Sequence, residues 1–157
     1  MMNGKNEGAE KGRRVQVVRV EMVKERAVCF ATNLVRTPQD AASILAGFLA
    51  GVDREHFVIM CLDTKNKVNA LNVVSVGSLN AAMVHPREVF KPAILANAAS
   101  IIMGHNHPSG NTTPSREDRE LTGRLVEAGK LLGIEVIDSL IIGDDGNFLS
   151  FKEQGLI

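Results

Sequence analysis

The segment from His105 to Asp118, HNHPSGNTTPSRED, constrains this chain more than any other. It follows a short apolar run, Ser100–Met103, that stops at Gly104. Two histidines at i and i+2 on extended backbone point to the same side, so both imidazoles can reach one ion. A loop carrying Pro, Gly and Asn comes next, and Pro114-Ser115 then opens a helix. Asp118 lies just inside the first turn of that helix and can fold back as a third ligand. Any fold for this chain must therefore bring a strand end, a loop and a helix start to one point.

Zinc suits this mixed nitrogen and oxygen set. Three protein ligands leave one tetrahedral position for water, whose pKa zinc lowers to about 7, so that a nucleophile is available at neutral pH. The competing reading is structural, because Ser115-x-x-Asp118 is also a helix cap with a carboxylate near the positive end of the dipole. The paired histidines favour the metal reading. His56 at a strand entrance and His85 before Pro86 are expected to have surface or hydrogen-bonding roles.

The flanking sequence predicts the layers that hold this segment. Residues 1–13 have almost no apolar letters and read as a flexible tail, leaving 14–157 as one domain. VQVVRVEMV from Val15 has the imperfect period of two of a half-buried strand. Thr37-Pro38-Gln39-Asp40 starts a helix ending near Ala50 and Gly51. EHFVIMCL, the turn DTKNK and VNALNVVSVG predict a hairpin of two central strands. A helix from Pro86 to about Ala98 follows, then the short strand before Gly104. The helix after Pro114 carries a stripe of Leu121, Leu125, Ala128 and Leu132 and closes at Gly133. IEVIDSLIIG and NFLSF make a last hairpin around Asp144-Asp145-Gly146. Strands interleaved with three helices give an α/β or α+β class, with a mixed central sheet flanked by helices.

Composition narrows the partners. With 157 residues, 45% hydrophobic and 23% charged, the chain has material for one cored domain. Lysine plus arginine total 18 and aspartate plus glutamate total 18, so no net field draws in nucleic acid or acidic membrane. No membrane-length apolar run occurs, and MMNGKNEGAEKGRR lacks the apolar core of a secretory signal, which points to a cytoplasmic protein. Cys29 and Cys61 lie in apolar company and read as buried, reduced thiols.

The pattern His105-x-His107 followed by Ser115 and Asp118 resembles the JAMM motif of the JAB/MPN metallohydrolases. LDTKNKV, PREVFKPAILANAASIIMGHNHPSGNTTPSREDRELT and LLGIEVIDSLIIG resemble their bacterial RadC branch, over roughly Thr37 to Ile157. The resemblance implies a JAB/MPN, cytidine-deaminase-like architecture. It also implies an upstream glutamate at the entrance to a central strand as general base, which Glu55 matches by context. A carboxylate beside an apolar run can be partly desolvated, which suits proton transfer. Glu88 is the competing candidate. Ser115 is similar to the residue that steadies the oxygen of a tetrahedral intermediate.

Two departures stand out. Relatives commonly carry a helix-hairpin-helix segment before this domain; here a short tail and one strand precede Thr37, so DNA binding by that segment is not carried over. Relatives also usually have histidine after the late aspartate, where this chain has Asp138-Ser139.

The leading expectation is zinc-dependent hydrolysis of an amide bond in a peptide or protein. A role in DNA repair or mobile-element biology is the alternative, resting on Lys11-Gly-Arg13-Arg14 and on Arg116, Arg119 and Arg124. Arg116, Arg119 and Lys130 also read as a solvated helix face. A silent interaction module of the same fold is the third, which the complete set of Glu55, His105, His107, Ser115 and Asp118 argues against.

Overall fold

The computed structural model describes residues 12–77 and 84–157. The tail expected at 1–13 lies outside them except for its last two residues, and so does Lys11 of the basic cluster.

The first helix, α1 (Pro38–Phe48), starts where its letters direct: Asp40 N donates to Thr37 Oγ1 at 3.2 Å and Thr37 N donates to Asp40 Oδ2 at 3.1 Å. After it come β1 (His56–Leu62) and β2 (Val68–Val76), an antiparallel hairpin. α2 (Pro86–Leu95) is capped by the His85 ring, which accepts from Arg87 N at 3.2 Å, a hydrogen-bonding role of the kind expected for it. β3 (Ser100–Asn106), α3 (Arg116–Leu132), β4 (Glu135–Ile142) and β5 (Phe148–Ser150) complete the chain.

The five strands form one sheet in the order β2-β1-β3-β4-β5, with β3 and β4 parallel and the other pairs antiparallel. The sheet is mixed and flanked by helices, as expected. Alternation along the strands divides its core in two. Val58, Met60, Leu62, Ile102 and Leu140 face Ala41, Ile44 and Leu45 of α1. Phe57, Ile59, Cys61, Ile101 and Met103 face Val89, Phe90 and Ala93 of α2 and Leu121 and Leu125 of α3. Full burial of side chains such as Phe57 and Leu125 contributes about 1.5–3 kcal/mol each. Among the described residues, no helix is long and apolar enough to cross a membrane.

Several expectations need correction. Residues 15–23 form no strand: Val15, Val17, Val18 and Val20 are exposed and no strand among the described residues pairs with them, and period-two letters without a hydrogen-bonding neighbour do not make a sheet. Cys29, in the same stretch, is exposed rather than buried. Of the two hairpin strands only β1 is central, while β2 is an edge with four of its nine residues exposed. α2 ends earlier than expected, with Asn97 in the left-handed region. On α3 the buried stripe is Asp118, Leu121, Thr122, Leu125 and Gly129, and Leu132 is exposed.

Candidate metal centre

β3 does not stop at Gly104 but runs on to Asn106, so His105 belongs to the strand and His107 follows its last residue. A side chain at position 104 would collide with Leu45 of α1, and glycine there lets the strand stay in contact with the helix. His107 N donates to Ile142 O at 3.0 Å, which extends the parallel ladder one step and holds both histidines on one face. Gly110 N then closes a turn onto His107 O at 2.9 Å, with Gly110 at φ 81°, and the chain returns to α3.

Ser115 and Asp118 form a full capping box: Asp118 N donates to Ser115 Oγ at 3.0 Å and Ser115 N donates to Asp118 Oδ2 at 2.9 Å. The cap is formed and leaves the ligand reading of this motif open. The box turns the Asp118 carboxylate inward, with Oδ1 3.3 Å from His105 Nε2 and Oδ2 3.3 Å from His107 Nε2. The two Nε2 atoms are 3.1 Å apart. Ligand atoms of all three residues lie within 4.8 Å of one another, compact enough for one ion.

Orientation of the rings supports the same use. His107 Nδ1 lies 2.6 Å from Asn111 O, and a carbonyl there requires Nδ1 to donate, which leaves the Nε2 lone pair free. His105 is buried and its ring stacks on Phe57, with centroids 6.1 Å apart. Burial resists ionisation of Asp118. Hydrogen bonding and charge from His105, with the backbone and hydroxyl of Ser115, outweigh that resistance and bring its carboxyl down to about 2. The third site member is thus a carboxylate at neutral pH, the form a divalent cation needs. The donor set and its geometry fit a metal ion.

Glu55 stands one residue before β1, half-buried. In the antiparallel register Phe57 pairs with His105, and continuing that register sets Glu55 across from His107, on the face that carries both rings. Its backbone is held on each side by Asn106, whose Oδ1 accepts from His56 N at 2.8 Å and whose Nδ2 donates to Arg54 O at 3.0 Å. Gly77 N adds a bond of 2.8 Å to Glu55 O. The sequence reading missed Asn106. As the middle residue of His-x-His it must face away from both rings, and that alternation was the available signal. Glu88 sits on the α2 surface, paired with Lys91 at 3.3 Å and Arg87 at 3.7 Å.

Arg116 and Lys130 pair with Glu120 at 2.8 Å and Glu127 at 3.0 Å on the exposed side of α3, an ordinary solvated helix face. Burial pushes the Cys61 thiol up to about 11, so it behaves as a small core hydrophobe.

A family model described as RadC-like JAB domain matches residues 35–156. The chain is similar to a UPF0758 protein of Rubrobacter xylanophilus, at 52% identity over 124 residues, 79% of this chain and 54% of that protein. A UPF0758 protein of Moorella thermoacetica is 53% identical over 131 residues, 83% of this chain and 57% of its own. For one of Methanosarcina barkeri the identity is 44% over 153 residues, 96% of this chain and 66% of that protein. The chain spans between about half and two thirds of the length of these relatives.

Proposed function

Because the chain belongs to the RadC-like JAB domain family, we propose that it is a metal-dependent hydrolase of amide bonds, with zinc held by His105, His107 and Asp118 and a peptide or protein as substrate. One observation carries this reading: two imidazole nitrogens and a carboxylate converge within 4.8 Å at the end of β3. Zinc held there supplies a Lewis acid that brings water toward ionisation at neutral pH.

The chain's own residues do the rest. Glu55, beside His107 at the mouth of the sheet, accepts the proton of the attacking water on its carboxylate and returns it to the leaving amine nitrogen. Ser115 is exposed; its Oγ accepts the capping bond from Asp118 N, and its O–H can rotate to donate to the carbonyl oxygen as charge develops there. Asn111 O fixes His107 with Nε2 inward, and Asn106 holds the backbone on both sides of Glu55. A DNA-directed role has less behind it, since Arg116 and Lys130 are engaged with neighbouring carboxylates and the net charge is +0.

The test is elemental analysis of the purified chain beside His105→Ala and Asp118→Ala, followed by a screen of peptide and isopeptide substrates with Glu55→Gln. Near-stoichiometric zinc is expected in the parent and little in either ligand variant, all three remaining folded. Glu55→Gln should keep its zinc and lose about 10²–10⁴-fold in hydrolysis. A folded parent that takes up no zinc on reconstitution would sink the reading.

A further inference from the structure

We propose that Ser139 positions the metal-ligand ring of His105 through one buried water that joins Ser139 Oγ to His105 Nδ1. The proposal rests on the reading of His105 as a ligand. Among the described residues, two buried side-chain polar atoms have no protein hydrogen-bond partner: His105 Nδ1 and Ser139 Oγ. The residues are 2% and 1% exposed, so bulk solvent does not reach either of them. Buried polar atoms are nearly always hydrogen-bonded, and two unmatched ones near each other call for a common partner.

The register places them on one face. In the parallel ladder Met103 pairs with Ser139 and His105 with Ile141, so Ser139 lies diagonally behind His105 on the adjacent strand. A bulge produces this placement. Ile101 pairs with Val136 and Ile102 with Asp138, leaving Ile137 as an extra residue on β4. Asp138 thereby joins the α1 side of the sheet, where its carboxylate accepts from Ser150 Oγ at 2.5 Å and Lys152 N at 3.0 Å. Ser139 is turned to the side of the histidines. Diagonal neighbours on a pleated face stand about 7 Å apart, a gap that these two short polar reaches leave open to one water.

The second ligand ring shows what is missing at the first. His107 has its Nδ1 engaged by the Asn111 carbonyl, which fixes its tautomer. His105 presents Nε2 to the same point, and with an ion held there it too would carry its proton on Nδ1, as a donor in need of an acceptor. A water held by Ser139 accepts a hydrogen bond from Nδ1–H and donates one to Oγ, which gives the His105 ring the orientation that Asn111 gives His107.

The experiment compares the parent with Ser139→Ala and Ser139→Thr, using zinc alone as the probe in competition with a chromophoric chelator. Side-chain ¹⁵N spectra of the zinc-loaded proteins report the Nδ1–H groups of the two histidines. Zinc affinity should fall about 10-fold or more in Ser139→Ala, with the His105 Nδ1–H resonance shifted while that of His107 is unchanged. Ser139→Thr, which keeps the hydroxyl, should retain the parent resonance. Equal affinity and an unchanged His105 Nδ1–H in Ser139→Ala overturn the role of Ser139 and leave the ligand set standing. So does a lower affinity with that resonance unmoved, which marks a merely structural effect. A folded parent that binds no zinc overturns the ligand reading itself.

Discussion

Single side chains in this molecule carry two duties at once, and Asn106 is the plainest case. Its amide spans the entrance of β1, taking one bond from His56 N and giving one to Arg54 O, while its neighbours in sequence are the two histidines of the candidate metal centre. Asn106→Ala leaves the His56 backbone N–H without its partner at the sheet's mouth, whereas Arg54 O keeps its contact with His56 Nδ1 at 3.0 Å. A loss of about 1–3 kcal/mol follows, read as a lower denaturant midpoint, and the proposed zinc uptake should persist because the rings of His105 and His107 lie on the other face. Asp118 has its own signature in acid. Its folded carboxyl titrates at about 2 against an ordinary 3.8, so it stabilises the metal-free fold fully above 3.8. That contribution fades as pH falls toward about 2, and acid unfolding of Asp118→Asn in the metal-free protein should lack this component. The His-x-His spacing and Asp118 were legible in the sequence because strand alternation and helix capping are local rules. The orienting partners were not: Asn111 acts through its backbone carbonyl, and Phe57 reaches His105 from a strand far away in sequence.

At the scale of elements, capping letters proved the most readable signal. Thr37 with Asp40 and Ser115 with Asp118 both form reciprocal boxes, and Gly133 ends α3 at φ 70°. Ser115→Ala should cost about 0.5–2 kcal/mol by thermal unfolding and fray the first turn of α3, whereas Ser115→Asn should keep most of the stability. A hydrolysis assay separates the proposed second duty, since asparagine preserves the cap but carries no hydroxyl to turn toward substrate. Strands were harder to read. The letters at 15–23 have strand character and no neighbour, because pairing is decided by chain segments that a local pattern cannot see. Whether β2 is central or at the edge is likewise a matter of sheet order, which its own letters do not contain. The bulge at Ile137 is the least visible feature of all, yet it decides which face Ser139 occupies.

Seen whole, the molecule is a mixed sheet with α1 on one side and α2 and α3 on the other, and its candidate metal centre lies where β3 hands over to α3. The carboxylate facing both histidines and the helix cap are the same residue, Asp118, so an ion held there would tie the strand end, the loop and the helix start into one unit. Zinc at a thousand times its dissociation constant would stabilise the fold by about 4 kcal/mol, and chelation should lower the melting temperature accordingly. The cost of losing the ion would be felt first in the connection at 107–115, whose residues are mostly open to solvent. Limited proteolysis of chelated protein should nick that connection before the sheet and spare the loaded form, and uniform digestion of both forms would count against the coupling. On the proposed reading the shared carboxylate would make the order of the helix start depend on the ion, so that empty and loaded copies would differ first in how readily a protease cuts them.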